Sequence, residues 1–245
     1  MTHDAILITG VSSGVGLSLA RYLSARFYVI GIARKLDVAR VALADVTNLD
    51  LFAAELGSAA SIDACLDAVV RRHGSPGFLI NNAGVNVPAA VDALEQDVFA
   101  ASLQVNCLAP LAIMRRLLPA MRERGFGRIV NVTSGAPLNC FAGHAAYTAS
   151  KAALNALTVT AAREYMGANV RINLMSPGPV RSNMAPQAPM DPSACHPTVD
   201  YLLDTDPDRP TGRFFWLGHE LPLFPDLDGV RWLEGTAPER FPRVA

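Results

Sequence analysis

Tyr147 and Lys151 are the residues whose spacing is best suited to chemistry. They lie four positions apart within residues 145–166, where the pattern predicts a long helix. Side chains at this spacing lie on one helix face, one turn apart. A tyrosine with a pKa of about 10 is a poor base at neutral pH, but a nearby ammonium favours the phenolate and lowers that pKa. The pair can therefore take a proton from an alcohol or give one to a carbonyl oxygen.

Two further polar residues could complete a proton-transfer site. Ser134 follows a predicted strand at 128–132 and precedes Tyr147 by thirteen residues, and Asn106 lies in a helix predicted over 95–123. The serine hydroxyl can hydrogen-bond a substrate oxygen and fix its position. Each residue also has a structural interpretation, because serine often caps a turn, asparagine bonds locally, and a tyrosine–lysine pair often lies on a surface. The combination, rather than any single residue, favours catalysis.

These residues need a scaffold, and the hydrophobic pattern of residues 1–182 alternates strand and helix signals. Strands are predicted at 5–8, 28–33, 41–44, 78–80, 128–132 and 169–174, and helices at 14–26, at 47–73 with a break near Gly57, at 95–123 and at 145–166. Such alternation implies right-handed crossovers and a parallel sheet covered by helices on both faces. Ligands of such sheets bind at the carboxyl ends of the strands. We therefore expect one α/β domain over residues 1–245, with a doubly wound parallel sheet.

A glycine-rich turn follows the first predicted strand and opens the first helix. The segment Thr9-Gly-Val-Ser-Ser-Gly-Val-Gly16 places glycines at positions 10, 14 and 16. Glycine lets the backbone turn tightly and approach a pyrophosphate, and the free N–H groups of a helix N-terminus favour that anion. The turn therefore predicts dinucleotide binding, although three glycines alone would also suit any tight turn.

The ordered set of motifs resembles the compact, single-domain branch of the short-chain dehydrogenase/reductase family. In the family's order, the chain carries the G-x-x-x-G-x-G turn, Asn81-Asn-Ala-Gly84, Asn106, Ser134, Tyr147-Thr-Ala-Ser-Lys151 and Pro177-Gly-Pro-Val180. The likeness extends over residues 4–182. It implies a Rossmann-type fold and an NAD(P)-dependent oxidoreductase that transfers a hydride between nicotinamide and a secondary alcohol or ketone.

The resemblance also implies roles for individual residues. The catalytic residues would be Ser134, Tyr147, Lys151 and Asn106. Lys151 would bond the nicotinamide ribose as well, and Asn106 would hold a water that relays protons. The cofactor-binding residues would be Gly10, Ser12, Ser13, Gly14, Val15, Gly16, Arg34, Asp45, Val46, Asn81, Ala83, Gly84, Tyr147, Lys151, Pro177, Gly178, Val180 and Ser182. Asp45 and Val46 are included as the adenine contact after the third predicted strand, and Ser182 replaces a threonine that the family places near the nicotinamide carboxamide.

The end of the second predicted strand bears on the choice between NADP(H) and NAD(H). Dinucleotide-binding folds often place an acidic side chain there to hold the ribose hydroxyls, whereas this chain has Ala33 followed by Arg34 and Lys35. An arginine can pair with a 2′-phosphate, which a carboxylate would repel. We therefore expect NADP(H), with NAD(H) as the alternative if Arg34 is only a solvated loop charge.

Composition argues against several other classes of function. The 245 residues are 51% apolar and 18% charged, with a net charge of −1, so nucleic acid or an anionic membrane is not an expected partner. No apolar run reaches the roughly 18 residues of a spanning helix, and no secretory signal is visible. The four cysteines include no C-x-x-C and the five histidines no metal-ligand spacing. We therefore expect a cytoplasmic protein with reduced thiols and no metal.

Residues 183–245 differ in composition from the rest of the chain. They contain 10 of the 17 prolines, both tryptophans and a net charge of −5, against +4 for residues 1–182. Proline stops helices, so this segment is expected to be irregular, and the family resemblance implies a last strand at 211–217. Its proline and aromatic residues are expected to shape the substrate pocket or to cover a subunit interface. The family resemblance implies a homodimer or homotetramer.

A second class of function stays open at this point. The chain could be a dinucleotide-binding regulatory or interaction protein that keeps the fold without turnover. The presence of Ser134, Tyr147, Lys151 and Asn106 argues against that alternative, because a protein that only binds needs no proton donor. The favoured interpretation is an enzyme that acts on a small-molecule alcohol or ketone.

Overall fold

A central eight-stranded sheet organises the part of the chain that the computed structural model describes, residues 5–231, 233 and 236–241. Its strands are β1 (Ala5–Thr9), β2 (Tyr28–Ala33), β3 (Leu49–Ala53), β4 (Phe78–Asn81), β5 (Gly127–Val132), β6 (Val170–Ser176), β7 (Phe214–Trp216) and β8 (His219–Leu221). Their spatial order is β3-β2-β1-β4-β5-β6-β7-β8. All neighbours run parallel except β8, which is antiparallel to β7. The predicted doubly wound sheet is thus confirmed, with its order reversing between β1 and β4.

Helices cover both faces of this sheet. They are α1 (Gly14–Leu23), α2 (Leu36–Ala42), α3 (Ala59–His73), α4 (Gln96–Leu103), α5 (Ala109–Glu123), α6 (Ala136–Asn139), α7 (Ala145–Glu164) and α8 (His196–Leu202). A π-helical turn, Gln104–Leu108, joins α4 to α5. One core cluster packs α3, α5 and α7 onto the face that carries Leu7, and the other packs α1, α2 and α8 onto the face that carries Ile6 and Ile8. The two clusters follow from the alternation of side chains along buried strands.

The third strand lies later in the chain than the sequence predicted. Residues 41–44 were expected to form it, but α2 continues to Ala42 and Val41 is 81% exposed. The strand is Leu49–Ala53, which contains Asp50 and lies at the edge of the sheet, half-buried. Arg72 and His73 contact the Asp50 carboxylate at 2.7 and 2.9 Å, so a charged residue is accommodated within the strand. The helix predicted over 47–73 is correspondingly wrong in its first part and correct for α3.

The long helices that carry the candidate catalytic residues are confirmed. The predicted helix over 95–123 is continuous from Gln96 to Glu123 and includes the π-helical turn. By length and composition alone this helix could cross a membrane, but Ile113 and Leu117 are buried in the first core cluster, as in a core helix. The last strand predicted at 211–217 is confirmed as the shorter β7, whereas α8 and β8 were not predicted.

Candidate active site

The end of β5, the start of α7 and the π-helical turn bring the candidate catalytic residues together. Ser134 lies two residues beyond β5, Tyr147 and Lys151 lie in the first two turns of α7, and Asn106 lies in the π-helical turn. A cavity of about 560 Å³ opens at the carboxyl edge of the sheet and reaches from the glycine-rich turn to Ser134, Tyr147 and Lys151. The fold therefore places the proton-transfer residues at one end of a cavity that begins where a dinucleotide is expected.

Tyr147 is a mostly protonated acid in this site at neutral pH. Burial raises the pKa of its phenol above the usual value, and the side-chain hydrogen bond with Ser134 opposes that shift by a smaller amount. The lowered pKa that the sequence predicted from the nearby ammonium is therefore wrong for the protein in this structure. Lys151 Nζ lies 5.9 Å from the centre of the Tyr147 ring. Desolvation of the phenol is the largest effect on its pKa.

Lys151 is almost fully enclosed, with 3% of its surface exposed. Its Nζ donates a 2.8 Å hydrogen bond to the carbonyl oxygen of Val132, the last residue of β5. Desolvation lowers the pKa of the lysine to about 8, because burial disfavours the charged form. Lys151 thus changes its charge close to neutral pH, which is unusual for a lysine and typical of a functional site.

Asn106 connects the loop after β4 to helix α7. Its Oδ1 accepts from the Val85 N–H at 2.8 Å, and its Nδ2 donates to the Val85 carbonyl at 2.8 Å and to Ser150 Oγ at 2.9 Å. Ser150 Oγ in turn donates to the carbonyl of Tyr147. The π-helical turn directs this fully buried asparagine at both partners, and such turns are frequent at functional sites. Asn106 therefore positions the backbone around Tyr147.

The glycine-rich turn fits a pyrophosphate. Ser13, just before α1, has an extended backbone and makes no side-chain cap hydrogen bond, so its side chain does not occupy the free N–H groups of the helix start. A Cβ on Gly16 would lie 2.2 Å from the carbonyl oxygen of Gly10 and 2.4 Å from Asn82 Nδ2. Only glycine allows the helix to start this close to the turn. The residues present here thus suit the phosphates of a dinucleotide.

Most of the residues implied for the cofactor line the cavity. They are Gly10, Ser12, Ser13, Gly14, Val15, Arg34, Ala83, Gly84, Tyr147, Lys151, Pro177, Gly178, Val180 and Ser182. Asn81 instead is buried in the sheet, where its Nδ2 donates to Asn131 Oδ1 at 2.8 Å. Its role in the structure is to connect β4 to β5 beneath the cavity.

Residues 4–192 match the sequence profile of the family described as short chain dehydrogenase. The chain belongs to the short-chain dehydrogenase family. The short chain dehydrogenase adrF of Penicillium rubens is 32% identical to it over 177 residues, which cover 71% of this chain and 69% of that protein. As a short-chain dehydrogenase, the protein is an oxidoreductase that acts on CH–OH or C=O groups with a nicotinamide cofactor.

Solved structures share the fold of this short-chain dehydrogenase. A 4-hydroxyisoleucine dehydrogenase complexed with NADH superposes with a TM-score of 0.82 at 26% identity, covering 88% of this chain and 97% of that one. An actinorhodin polyketide ketoreductase variant with NADPH also gives 0.82, at 25% identity, covering 89% and 98%. Both nicotinamide cofactors therefore occur among its structural relatives.

The adenine contact implied for Asp45 and Val46 is wrong, because these residues precede β3 in the short-chain dehydrogenase. Asp45 Oδ1 instead accepts a 2.9 Å hydrogen bond from Arg21, and neither residue lines the described cavity. The residues that do follow β3 and line the cavity are Glu55 and Leu56. Glu55 and Leu56, rather than Asp45 and Val46, therefore stand after the third strand.

Asn82 is a site residue that the sequence analysis did not select. Its Nδ2 donates to the carbonyl of Thr9 at 2.9 Å, while its own N–H and that of Ala83 donate to Thr9 Oγ1 at 3.0 Å. These bonds join the end of β4 to the glycine-rich turn across the point where the strand order reverses. The second asparagine of Asn81-Asn-Ala-Gly84 was the available signal.

Proposed function

We propose that the protein is an NADP(H)-dependent oxidoreductase that interconverts a secondary alcohol and its ketone. The observation that carries this proposal is the convergence of three groups at the inner end of the cavity. The Ser134 hydroxyl, the Tyr147 phenol and the buried Lys151 ammonium all line it. A protein that only binds a dinucleotide has no need for such a proton donor.

The proposed reaction combines hydride transfer by the cofactor with substrate binding by Ser134 and proton transfer by Tyr147. When bound, the nicotinamide supplies or accepts the hydride. Ser134 donates a hydrogen bond to the substrate oxygen and fixes its position. Tyr147 gives its proton to that oxygen during reduction and takes it back during oxidation. The phenol is protonated at neutral pH, as an ordinary tyrosine is, and its raised pKa keeps it so.

Lys151 supports this proton transfer electrostatically. Its ammonium lies on the same helix face as Tyr147 and attracts the phenolate that remains after the proton has left, which opposes the larger effect of desolvation on the pKa of that phenol. Desolvation strengthens this attraction, since charges interact more strongly where water is excluded. The hydrogen bond to Val132 holds the ammonium in place between β5 and α7.

The lining of the cavity favours a neutral, apolar substrate. Among the described lining residues, the charged ones are Arg34 and Glu55, which follow β2 and β3, and Lys151. Apolar side chains also line the cavity; they include Val85, Val132 and Met184, of which Met184 is exposed. Among the described lining residues, the charged group beside Tyr147 is Lys151, which is already bonded to Val132, whereas an apolar ring or chain would bury surface there.

Arg34 supports the preference for NADP(H). It follows the last residue of β2, lines the cavity and has 69% of its side chain exposed, so it can turn toward a 2′-phosphate. The Glu55 carboxylate lies 3.8 Å from the guanidinium in an exposed ion pair, which leaves the arginine able to turn. Ala33 leaves the usual place of a ribose-binding carboxylate without an acid.

A cofactor and substrate panel tests the proposal. The purified protein is mixed with NADPH or NADH and neutral cyclic or aryl ketones, and with the same ketones carrying a carboxylate. We expect oxidation of NADPH with the neutral ketones, slower reaction with NADH, and weak reaction with the carboxylates. Binding of NADPH with no turnover of any ketone or alcohol would instead support the non-catalytic dinucleotide-binding alternative.

A further inference from the structure

Leu217 has a backbone conformation that side chains rarely adopt. Its φ is +46°, and with Gly218 at φ +82° it forms the two-residue turn between β7 and β8. Two-residue hairpin turns with positive φ at both positions normally use asparagine, aspartate or glycine. A leucine at this position is strained, and such strain recurs where a side chain must be held for function.

The side chain of Leu217 packs on the loop that follows β6. A Cβ placed on Gly178 would lie 3.1 Å from Leu217 Cδ2 and 3.2 Å from its Cδ1, so the leucine covers the bare face of that glycine. Gly178 itself has a φ of +86° and lines the cavity, with Pro177 beside it. Leu217 thus supports, from outside, a segment that forms the cavity wall.

The turn is held firmly on its other side. The N–H of Gly218 donates a 2.8 Å hydrogen bond to Oγ1 of Thr198, a residue of α8 that is 2% exposed. The strand before the turn is also fixed, because Trp216 is in register with Ser176, the last residue of β6. Movement of the loop after β6 toward the hairpin is therefore blocked by a leucine that cannot itself withdraw.

We propose that Leu217 is a positioning residue for the nicotinamide half of the cofactor, acting through Gly178. The inference rests on the proposed function, because it assigns the Pro177–Gly178 segment to the nicotinamide end of the cavity. Hydride transfer needs the reacting carbons aligned and in near contact, and a small displacement of the supporting wall lowers both affinity and rate. The strained conformation of the leucine is the cost of this support.

The test separates the two halves of the cofactor. Equilibrium dissociation constants are measured for two dinucleotides and for the matching fragments that lack only the nicotinamide. NADP⁺ is compared with ADP-ribose 2′-phosphate, and NAD⁺ is compared with ADP-ribose. Leu217→Gly removes the side chain and suits the positive φ. We expect it to weaken dinucleotide binding about tenfold, while the fragments bind within about twofold of the wild type.

Three further variants sharpen the result. Leu217→Asn also tolerates a positive φ and should behave like Leu217→Gly, which keeps the test valid if the glycine variant does not fold. Leu217→Met retains a long apolar side chain and should restore most of the affinity. His219→Gly, the control, shortens another side chain of the same hairpin. It should leave the dissociation constants of the dinucleotides and of the fragments unchanged.

Two outcomes would overturn the inference. Equal loss of dinucleotide and fragment binding would assign Leu217 to general stability, and wild-type affinity in the Leu217→Gly and Leu217→Asn variants would show that it does not act on the cofactor. A wild-type protein that binds neither dinucleotide would refute the proposed function itself, and with it this role. The wild-type measurement therefore distinguishes the two failures.

Discussion

The ammonium of Lys151 donates a 2.8 Å hydrogen bond to the carbonyl oxygen of Val132. This single contact joins α7, which carries Tyr147, to the end of β5, two residues before Ser134. Burial of the side chain, with 3% of its surface exposed, lowers the pKa of the lysine to about 8. Lys151 is thus one of several links between α7 and β5, together with the hydrogen bonds that Thr133 donates to Asn155 and Asn131 donates to Thr158.

The pH dependence of kcat/KM for the cofactor should follow the protonation state of Lys151. Below a pH of about 8 Lys151 is charged and supports the phenolate, and above it the lysine loses its proton. We expect kcat/KM for the cofactor, which reflects groups of the free enzyme, to fall as the pH rises through about 8. Lys151→Arg stays charged and should move the decline to higher pH. A wild-type profile that remains flat up to a pH of about 10 would contradict the assignment.

Asn106→Ala should lower both stability and turnover. The substitution leaves the Val85 N–H and carbonyl and the Ser150 hydroxyl with fewer partners in a buried site. We expect a loss of about 2–4 kcal/mol in the free energy of unfolding, measured by urea denaturation. Gln104→Ala, in the same π-helical turn, should change it by less than about 1 kcal/mol. An equal loss of unfolding free energy in Asn106→Ala and Gln104→Ala would show that the hydrogen bonds of Asn106 do not stabilise the fold.

Arg128→Met should destabilise the protein without changing its catalysis. The fully buried guanidinium donates to the carbonyls of Asp204, Thr205 and Asp206, which anchors the segment before β7. Removal of these bonds should cost about 3 kcal/mol in urea unfolding. The residue lies near the start of β5, whereas the catalytic serine follows its end, so KM and kcat should stay unchanged. Arg116→Met, a half-exposed arginine paired with Asp67, serves as control and should have little effect.

Arg34→Asp should shift the cofactor preference toward NAD(H). The new carboxylate would repel a 2′-phosphate and could accept bonds from the ribose hydroxyls. We expect the ratio of kcat/KM for NADPH over NADH to fall at least about tenfold, or about 1.4 kcal/mol. Arg40→Asp makes the same change of charge on the exposed side of α2 and should leave the ratio unaltered. An unchanged ratio of kcat/KM for NADPH over NADH in Arg34→Asp would mean that Arg34 does not bind the 2′-phosphate.

The sequence predicted the parts of the site that depend on local spacing. The four-residue step from Tyr147 to Lys151 on a helix, and the place of Ser134 beyond a buried strand, follow from periodicities of 3.6 and 2. The third strand was missed because Asp50 interrupts its apolar pattern, and only the tertiary contacts with Arg72 and His73 make that residue acceptable.

Contacts between distant parts of the chain could not be predicted. The packing of Leu217 on Gly178 joins two turns whose approach depends on the pairing of β6 with β7. The raised pKa of Tyr147 depends on how deeply the folded chain buries it, which spacing alone does not reveal. The ordered motifs and the family resemblance thus predicted the candidate catalytic residues, while their electrostatics and support required the fold.

Substitution of Tyr147 by phenylalanine tests the central claim most directly. The change removes only the phenolic oxygen and keeps the ring against its neighbours. In steady-state assays with NADPH and a ketone that the wild type reduces, we expect kcat/KM to fall by at least about a thousandfold, since the proton donor is lost. The dissociation constant for NADPH, measured by fluorescence titration, should stay within about threefold of the wild-type value. Turnover that survives in Tyr147→Phe while the cofactor remains bound would contradict the proposed mechanism.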